Sequence, residues 1–379
     1  MSDEQKYTML FKPQLFEDRR TAEEKENPEL GDRRDGKVYR YKPSIILAVN
    51  VALATGRPLL VRGPSGSGKS SLAYNVARVL EREYYEFVIT SRTQAQDLLW
   101  RFDAVRRLGD AQARSMMTTV GPPSGPKLVV GLPTPAGAQV ESRPTTGEEP
   151  VWHNYYRYIE PGVLWWVLDP DSASSRGYEG ETPLIEFASD PVVFRPSGTP
   201  TGSPVLLLDE IDKADPDFAN NLLVPIGSLQ FRVDEIGRTI SLKRQNGDQP
   251  TTLPDRPLII ITSNEERRLP QAFLRRCVSL ELEGPGADGL VEIAQKIFGD
   301  GEVDLYNQVV ASMTALVREQ LGSDPFAITT MSEEEKIHLN VAQFLDAVQA
   351  CLKLKGVAGD DTLFKEVIRI TGWKESSSI

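Results

Sequence analysis

The chain has 379 residues, with 43 Lys and Arg against 54 Asp and Glu and a formal charge of −11. Its 40% hydrophobic content allows a buried core, and the sequence shows neither an apolar leader nor an apolar run of about 18 to 20 residues, so we expect a cytoplasmic protein. The acidic balance argues against a non-specific nucleic-acid coat, and two cysteines and two histidines are too few for a disulfide framework or a zinc enzyme.

The first segment in chain order is a charged N-terminal arm, residues 1–37. It mixes acids and bases in nearly equal number, and only Leu10, Phe11, Leu15 and Phe16 offer an apolar anchor. We therefore predict an arm that is either partly disordered or packed against a neighbouring subunit.

Residues 38–284 predict an α/β core. A helix at 45–56 ends at a glycine, and a short apolar run at 57–63 has the turn signals that bound a buried strand. An amphipathic helix at 70–83 and a β-branched and aromatic strand at 84–90 follow, and this β–α–β order implies a parallel sheet with right-handed crossovers. The later predicted elements are a strand at 204–210, a helix at 214–226, a hairpin at 228–242, strands at 256–264 and 277–284 and, as a separate all-α lid subdomain, helices in 285–379.

Two stretches rich in Pro and Gly interrupt the core, at 121–150 and at 191–204. Their composition opposes regular structure, so we predict surface insertions there. Between them lies an unusually aromatic segment, 151–169. Its Leu164 and the Trp165–Trp166 pair either belong to the core or, if exposed, form a surface for a partner.

A phosphate-binding loop is predicted at residues 63–70, Gly-Pro-Ser-Gly-Ser-Gly-Lys-Ser, which fit G-x-x-x-x-G-K-[ST] between a strand and a helix. Glycines let the backbone N–H groups converge on an anion, and the helix N-terminus adds further donors. Lys69 would reach the β- and γ-phosphates, and the Ser70 hydroxyl would ligate Mg²⁺. The candidate nucleotide-binding residues are Gly63, Pro64, Ser65, Gly66, Ser67, Gly68, Lys69, Ser70 and Ser71 in the loop, and Asp209 on a later strand.

Two adjacent acids end the predicted strand at 204–210. Asp209 is placed to hold Mg²⁺ through water, and Glu210 is the candidate general base that polarises the attacking water. A kinase that transfers phosphate to a hydroxyl has no need of a water-activating Glu at this position. The pair therefore favours an ATP hydrolase over a phosphotransferase.

Asn264 ends the predicted strand at 256–264, and its amide could fix the lytic water together with Glu210. Thr262 and Ser263 are weaker candidates for the same task. Arg275 and Arg276 follow shortly after, and a guanidinium can neutralise charge on the γ-phosphate in the transition state. On a helix that points away from its own nucleotide, such an arginine would act on the adjacent subunit.

Three stretches resemble AAA+ ATPases, and specifically the MoxR-like branch: GRPLLVRGPSGSGKSSLA (56–73), VLLLDEIDKADPDFANNLL (205–223) and ITSNEERRLPQAFLRRC (261–277). The resemblance implies an αβα core with parallel strand order 5-1-4-3-2 and an all-α lid after it. It also implies ring assembly, commonly a hexamer, with ATP between subunits. In this family residues 38–49 would pack on adenine, and the hairpin at 228–242 would be an insertion before the first sensor.

The same resemblance assigns roles to single residues. Lys69 and Ser70 match the first nucleotide motif, Asp209 and Glu210 the second, and Asn264 the first sensor. The arginine finger falls on Arg276, with Arg275 as its neighbour.

One departure from the family concerns the lid. Many relatives carry a second-sensor arginine at the start of the third lid helix, whereas residues 339–350 read LNVAQFLDAVQA without one. Either that sensor is absent, or another lid residue such as Lys353 or Lys355 serves.

The resemblance implies a ring-forming ATPase that uses ATP and Mg²⁺ to remodel or activate a protein partner, as a chaperone or in a bacterial defence system. The alternative is a nucleic-acid-translocating or McrB-like NTPase. The segment 92–114 carries a local excess of base in an acidic chain, although such a run is more often a solvated helix face. The bases in the segment 92–114 are Arg92, Arg101, Arg106, Arg107 and Arg114, against Asp97, Asp103 and Asp110. The identity of the partner, the pathway and the number of subunits stay open.

Overall fold

The computed structural model describes residues 9–21, 24–25, 36–119, 155–179, 187–243, 256–322, 339–354 and 361–372. They fall into two compact units, each treated by itself below. The first unit draws on Met1–Gln94, Val192–Ser228 and Arg244–Ile379, and the second on Ala95–Pro191 and Leu229–Lys243.

The described strands and helices include the predicted elements of the core in their predicted order, together with others that the sequence did not predict. The strands are β1 (Phe16–Asp18), β2 (Val38–Arg40), β3 (Leu59–Arg62), β4 (Tyr84–Val88), β5 (Trp100–Phe102), β6 (Ile159–Pro161), β7 (Val205–Asp209), β8 (Gln230–Val233), β9 (Arg238–Ser241), β10 (Leu258–Ser263) and β11 (Val278–Glu281). The helices are α1 (Pro43–Thr55), α2 (Lys69–Leu80), α3 (Ala104–Thr119), α4 (Val163–Leu168), α5 (Pro170–Ser174), α6 (Pro216–Ser228), α7 (Gln271–Leu274), α8 (Ala287–Phe298), α9 (Val303–Gly322), α10 (Val341–Lys353) and α11 (Asp361–Gly372).

A five-stranded parallel sheet forms the centre of the first unit, in the order β11-β3-β10-β7-β4. Numbered by their sequence within the sheet, these strands run 5-1-4-3-2, as the resemblance implied. Strands β7 and β10 are buried along their whole length, which explains their continuous apolar runs. The fold is therefore an α/β P-loop core of the AAA+ type, followed by a helical C-terminal region.

The ends of α1 and α2 are set by local sequence. Helix α1 begins at Pro43, whose fixed φ suits the first helical turn, and ends at Gly56, which adopts the left-handed conformation at φ 63°. Helix α2 begins directly after Gly68, at φ 87°, so the loop that precedes it joins the C-terminal end of β3 to a helix N-terminus. Because parallel strands place their carboxyl ends at one edge of a sheet, β7 and β10 end beside the same loop.

Part of the N-terminal arm packs against the core of its own chain. Strand β1 pairs antiparallel with β2, and Phe11 is fully buried in the core cluster. Asn50 on α1, itself buried, holds this segment by three hydrogen bonds. Its Oδ1 accepts from the N–H groups of Leu10 (2.7 Å) and Phe11 (2.9 Å), and its Nδ2 donates to the Phe11 carbonyl (2.9 Å).

We expect Asn50→Ala to lower the free energy of unfolding by about 1–3 kcal/mol, because it leaves buried backbone groups of the arm without partners. Urea denaturation measures this directly. Thr55→Ala is the matched control: Thr55 lies on the same helix but is exposed, so its loss should change the free energy by less than about 0.5 kcal/mol. Equal effects of the two substitutions would contradict the role given to Asn50.

The helical region after residue 285 has a hydrophobic cluster of its own. Helices α8 and α9 pack together, as do α10 and α11, around Tyr306 and Phe344, both almost fully buried. Val38 of β2 also packs against this cluster, so the lid is in direct contact with the two-stranded ribbon formed by β1 and β2.

The second unit settles the alternatives for the aromatic segment. All six residues of α4 are buried, including Leu164, Trp165 and Trp166, so these side chains are core rather than an exposed surface. The hairpin β8–β9 has the predicted position, and its Phe231 packs edge-on against Trp165 and stacks on Trp100.

The two predicted insertions differ in what the structure describes. The stretch 121–150 lies outside the described residues. The stretch 191–204 is described and has no helix or strand, except that Phe194 forms a bridge with Tyr84 and lies along the edge of β4. None of the described helices combines the length and the hydropathy that a membrane span requires.

Candidate active site

The phosphate-binding loop curls as the glycine spacing predicts. Gly66 and Gly68 adopt positive φ values of 75° and 87°, which side chains with a Cβ rarely accept. Lys69 is buried, and its Nζ donates to the carbonyls of Gly63 (2.8 Å) and Pro64 (2.7 Å). Two of the three Nζ donors are therefore engaged by the loop, and one is left for a ligand.

Two further observations show that the loop suits an anion. The hydroxyl of Ser67 is buried and has no hydrogen-bond partner among the described residues, although it belongs to a residue that lines the cavity. Burial lowers the pKa of the Lys69 ammonium, and the nearby carboxylates of Asp209, Asp212 and Glu210 oppose that shift. A phosphate oxygen would satisfy the hydroxyl and offset the desolvation of the ammonium.

Ser70 and Asp209 meet at the carboxyl edge of the sheet. The Ser70 hydroxyl lies 2.9 Å from both carboxylate oxygens of Asp209. Asp209 is only 2% exposed, and the Thr262 hydroxyl donates to its Oδ1. A hydroxyl beside a carboxylate is a donor set of hard oxygens, which fits Mg²⁺.

Glu210 has a strained backbone, at φ 61° and ψ 49°, which costs a non-glycine residue on the order of 1–2 kcal/mol. The conformation is held by the Glu210 N–H, which donates to the Thr262 hydroxyl oxygen (2.9 Å). Asn264 Nδ2 lies 3.3 Å from Glu210 Oε1, and Lys213 Nζ lies 3.4 Å from Glu210 Oε2. The structure thus brings together Glu210 and Asn264, which directly follow the adjacent strands β7 and β10, as the sequence predicts.

Asp212 is a residue that the sequence reasoning missed. It is 1% exposed, and its Oδ2 accepts from the backbone N–H groups of Asn264 (3.1 Å) and Glu266 (2.9 Å). It therefore fixes the loop after β10 that carries Asn264. The sequence signal for Asp212 was that it is the third acid in the run DEID (209–212). Nothing in the sequence shows that its side chain is buried.

The site opens into a cavity of about 690 Å³ within the first unit. Its lining includes the loop residues Ser65 to Ser71 with Asp209, Glu210 and Asn264. Residues of the arm, β2, α1 and the lid also line it, and they are both apolar and charged. The apolar ones include Phe16, Val38, Ile45, Ile293, Ile297 and Leu345, and the charged ones include Arg20, Glu24, Lys37, Arg40, Lys42 and Asp346.

The lid reaches the phosphate loop through the start of α10. The Val341 N–H donates to the Gly66 carbonyl (3.3 Å), and a Cβ on Gly66 would lie 2.2 Å from the Asn340 side chain. Gln343 in the first turn of α10 lines the cavity, whereas Lys353, at the other end of that helix, is exposed and does not. Lys355, the other predicted substitute for a second sensor, lies outside the described residues.

Arg275 and Arg276 lie apart from the cavity. Both are exposed and neither lines it. Arg57 fixes the backbone after α7 by donating to the carbonyls of Arg275, Arg276 (3.2 Å) and Cys277 (2.9 Å). The turn that carries the two guanidinium groups is thus held in place while their side chains face solvent.

The arginines of the second unit are partly engaged by their neighbours. Arg101 lies 3.6 Å from Asp97, and Arg107 donates to the Tyr155 hydroxyl (3.1 Å) with its guanidinium over that ring. Arg106 on α3 is exposed. The side chain of Arg114 lies outside the described residues. Among the described arginine side chains of the segment 92–114, only Arg106 and Arg107 lie on α3, whereas Arg101 is on β5 and Arg92 is in a turn.

The fold and the site define a nucleotide-binding P-loop protein, with an acid pair and a sensor-type amide at the carboxyl edge of a 5-1-4-3-2 sheet. Comparison with protein-family models adds that residues 58–121 match the AAA domain of the dynein-related subfamily. This part of the chain contains β3, the phosphate loop, α2 and β4. The match and the fold together support an AAA+ ATPase.

Other comparisons add little to this. One solved structure, named a “putative ATPase” from Cytophaga hutchinsonii, is 11% identical, with 86% of this chain and 78% of that chain covered. Its TM-score of 0.33 is too low to carry an argument. A search of curated proteins found no match.

Proposed function

We propose that the chain is a Mg²⁺-dependent ATP hydrolase of the MoxR-like branch of AAA+ proteins. The observation that carries the proposal is the set of contacts among Ser70, Asp209, Thr262, Glu210 and Asn264 beside a complete phosphate loop. These contacts support a metal-binding oxygen pair and a water-activating carboxylate at one edge of the sheet.

The residues have separate tasks in this proposal. The loop N–H groups and Lys69 bind the phosphates, and Ser70, with Asp209 through water, holds Mg²⁺, which neutralises charge on the phosphates when bound. Glu210 takes a proton from the attacking water, and Asn264 orients that water from the adjacent strand. Thr262 fixes the positions of Asp209 and Glu210 relative to each other, because its hydroxyl forms a hydrogen bond with each of them.

We further propose that the protein works as a cytoplasmic ring, commonly a hexamer in this family, that remodels or activates a protein partner. The exposed positions of Arg275 and Arg276, away from the cavity of their own chain, support completion of each site by the next subunit. The formal charge of −11 favours a protein partner over a polynucleotide.

The test is ATP hydrolysis by the full chain, with Mg²⁺ and with excess chelator. We expect turnover only with Mg²⁺, and we expect Lys69→Ala to weaken ATP binding by about 100-fold because it removes a charge-assisted contact to the phosphates. Lys243→Ala is the matched control, since Lys243 pairs with Asp171 in the second unit and does not line the cavity. Metal-independent turnover, or unchanged binding in Lys69→Ala, would refute the proposal. Salt-sensitive stimulation by DNA would favour a nucleic-acid motor instead.

A further inference from the structure

The ribbon formed by β1 and β2 has two different faces. Phe16 pairs with Arg40 across the ladder, and because side chains alternate along strands, Phe16, Val38 and Arg40 share one face. Glu17 and Tyr39 lie on the other face and are buried, with Tyr39 in the core cluster. The face that carries Phe16 is therefore directed away from the sheet.

That outward face is joined to the lid. Arg40 Nε lies 2.8 Å from Glu292 Oε2 on α8. Arg20, just after β1, donates to the carbonyls of Lys296 (2.9 Å) and Ile297 (3.2 Å) in the last turn of α8. The last carbonyls of a helix have no partners within it, so Arg20 satisfies groups that would otherwise need water.

The arm therefore forms part of the wall of the nucleotide cavity. Phe16 and Arg20 both line it, as do the apolar side chains of Ile45, Ile293 and Ile297. The phosphate loop in the same cavity fixes where a triphosphate would lie. An aromatic ring and apolar side chains in the wall of that cavity suit the flat face of a nucleobase.

We propose that Phe16 is a base-contacting residue of the nucleotide site, with its ring packed against the nucleobase, and that the N-terminal arm thereby closes the base end of the cavity. The proposal rests on the proposed ATP-binding function and deepens it. Lys296 Nζ on α8 lies 6.0 Å from the centre of the Phe16 ring, so the ring lies beside the lid helix as well as in the cavity wall. Asn50 anchors the preceding segment, which gives the ring a defined position.

The experiment compares two probes by calorimetry on the full-length protein: a non-hydrolysable ATP analogue with Mg²⁺, and inorganic tripolyphosphate, which has no base. We expect Phe16→Ala to weaken binding of the ATP analogue by about tenfold, as the loss of one stacking contact between a base and an aromatic ring does. The affinity for tripolyphosphate should change by less than about twofold. Phe16→Tyr should restore binding of the analogue. Leu15→Ala is the matched control, because Leu15 is 64% exposed and does not line the cavity.

The outcomes separate this inference from the function on which it rests. If Phe16→Ala leaves binding of the analogue unchanged while Lys69→Ala abolishes binding of both probes, the inference is wrong and the assignment of the ATP site stands. Equal weakening of both probes by Phe16→Ala would show that the ring supports the loop or the fold, which also overturns the inference. If Lys69→Ala still binds both probes with unchanged affinity, the proposed function itself is wrong. Thermal melting without ligand checks that each variant is folded.

Discussion

Glu210→Gln is expected to lower kcat for ATP hydrolysis by about 10²- to 10⁴-fold, the usual contribution of a positioned general base, while ATP binding is retained. The amide oxygen of Gln can still accept the Asn264 Nδ2 hydrogen bond that Glu210 Oε1 now receives at 3.3 Å. It cannot take a proton from water at neutral pH. The local geometry is thus kept and only the chemical step is lost. Phosphate release measures kcat, and chromatography of the bound nucleotide should show ATP rather than ADP.

Glu265→Gln is the matched control for this prediction. Glu265 lies on the loop after β10, pairs with Arg62 at 3.0 Å and does not line the cavity. The same chemical change there should leave kcat within about twofold, as is usual for a surface charge. If Glu210→Gln turns over at the wild-type rate, the water is activated by another group and the assignment of the base is wrong.

The sequence predicts the core of this fold well because the determinants are local. β7 and β10 are buried on both faces, so each is a continuous apolar run that can be recognised without its neighbours. The phosphate loop lies between a strand and a helix within one contiguous segment, which its motif alone identifies. The strand order is not local information, and it came from the family resemblance.

What sequence reasoning missed depends on pairs that are distant along the chain. Thr262 was only a weak candidate, yet its hydroxyl joins Asp209 to the N–H of Glu210. Asp212 looked like one more acid in a loop, and its burial shows only once β10 lies beside β7. For the arm, two alternatives stayed open although Phe11 was named as a candidate anchor, because its partner Asn50 lies 39 positions away.

The second unit was missed for the same reason. Its hairpin β8–β9 and its aromatic helix α4 are separated in sequence by a strand and a helix of the first unit. Each was predicted as an isolated feature. Their common core, in which Phe231 meets Trp100 and Trp165, arises from side chains that no local pattern connects.

Arg276→Ala is expected to reduce kcat by about 10³-fold or more while ATP still binds, because an arginine finger acts on the transition-state charge and not on the ground state. Arg275→Ala is the matched control, with the same charge change at the next position on the same exposed turn. Phosphate release and nucleotide affinity are measured for both variants. If Arg275→Ala is the inactive one, the finger is Arg275. If both retain turnover, neither arginine completes the site.

Mixing two inactive variants tests whether the arginine acts between subunits. Glu210→Gln subunits keep Arg276, and Arg276→Ala subunits keep Glu210, so one kind of head-to-tail interface in a mixed ring has both groups. Random mixing in equal amounts makes roughly a quarter of the interfaces complete, and about that fraction of wild-type turnover should return. Neither variant alone should show it. A mixture that co-assembles, as light scattering or cross-linking would show, but stays inactive would mean that Arg276 does not serve the neighbouring site.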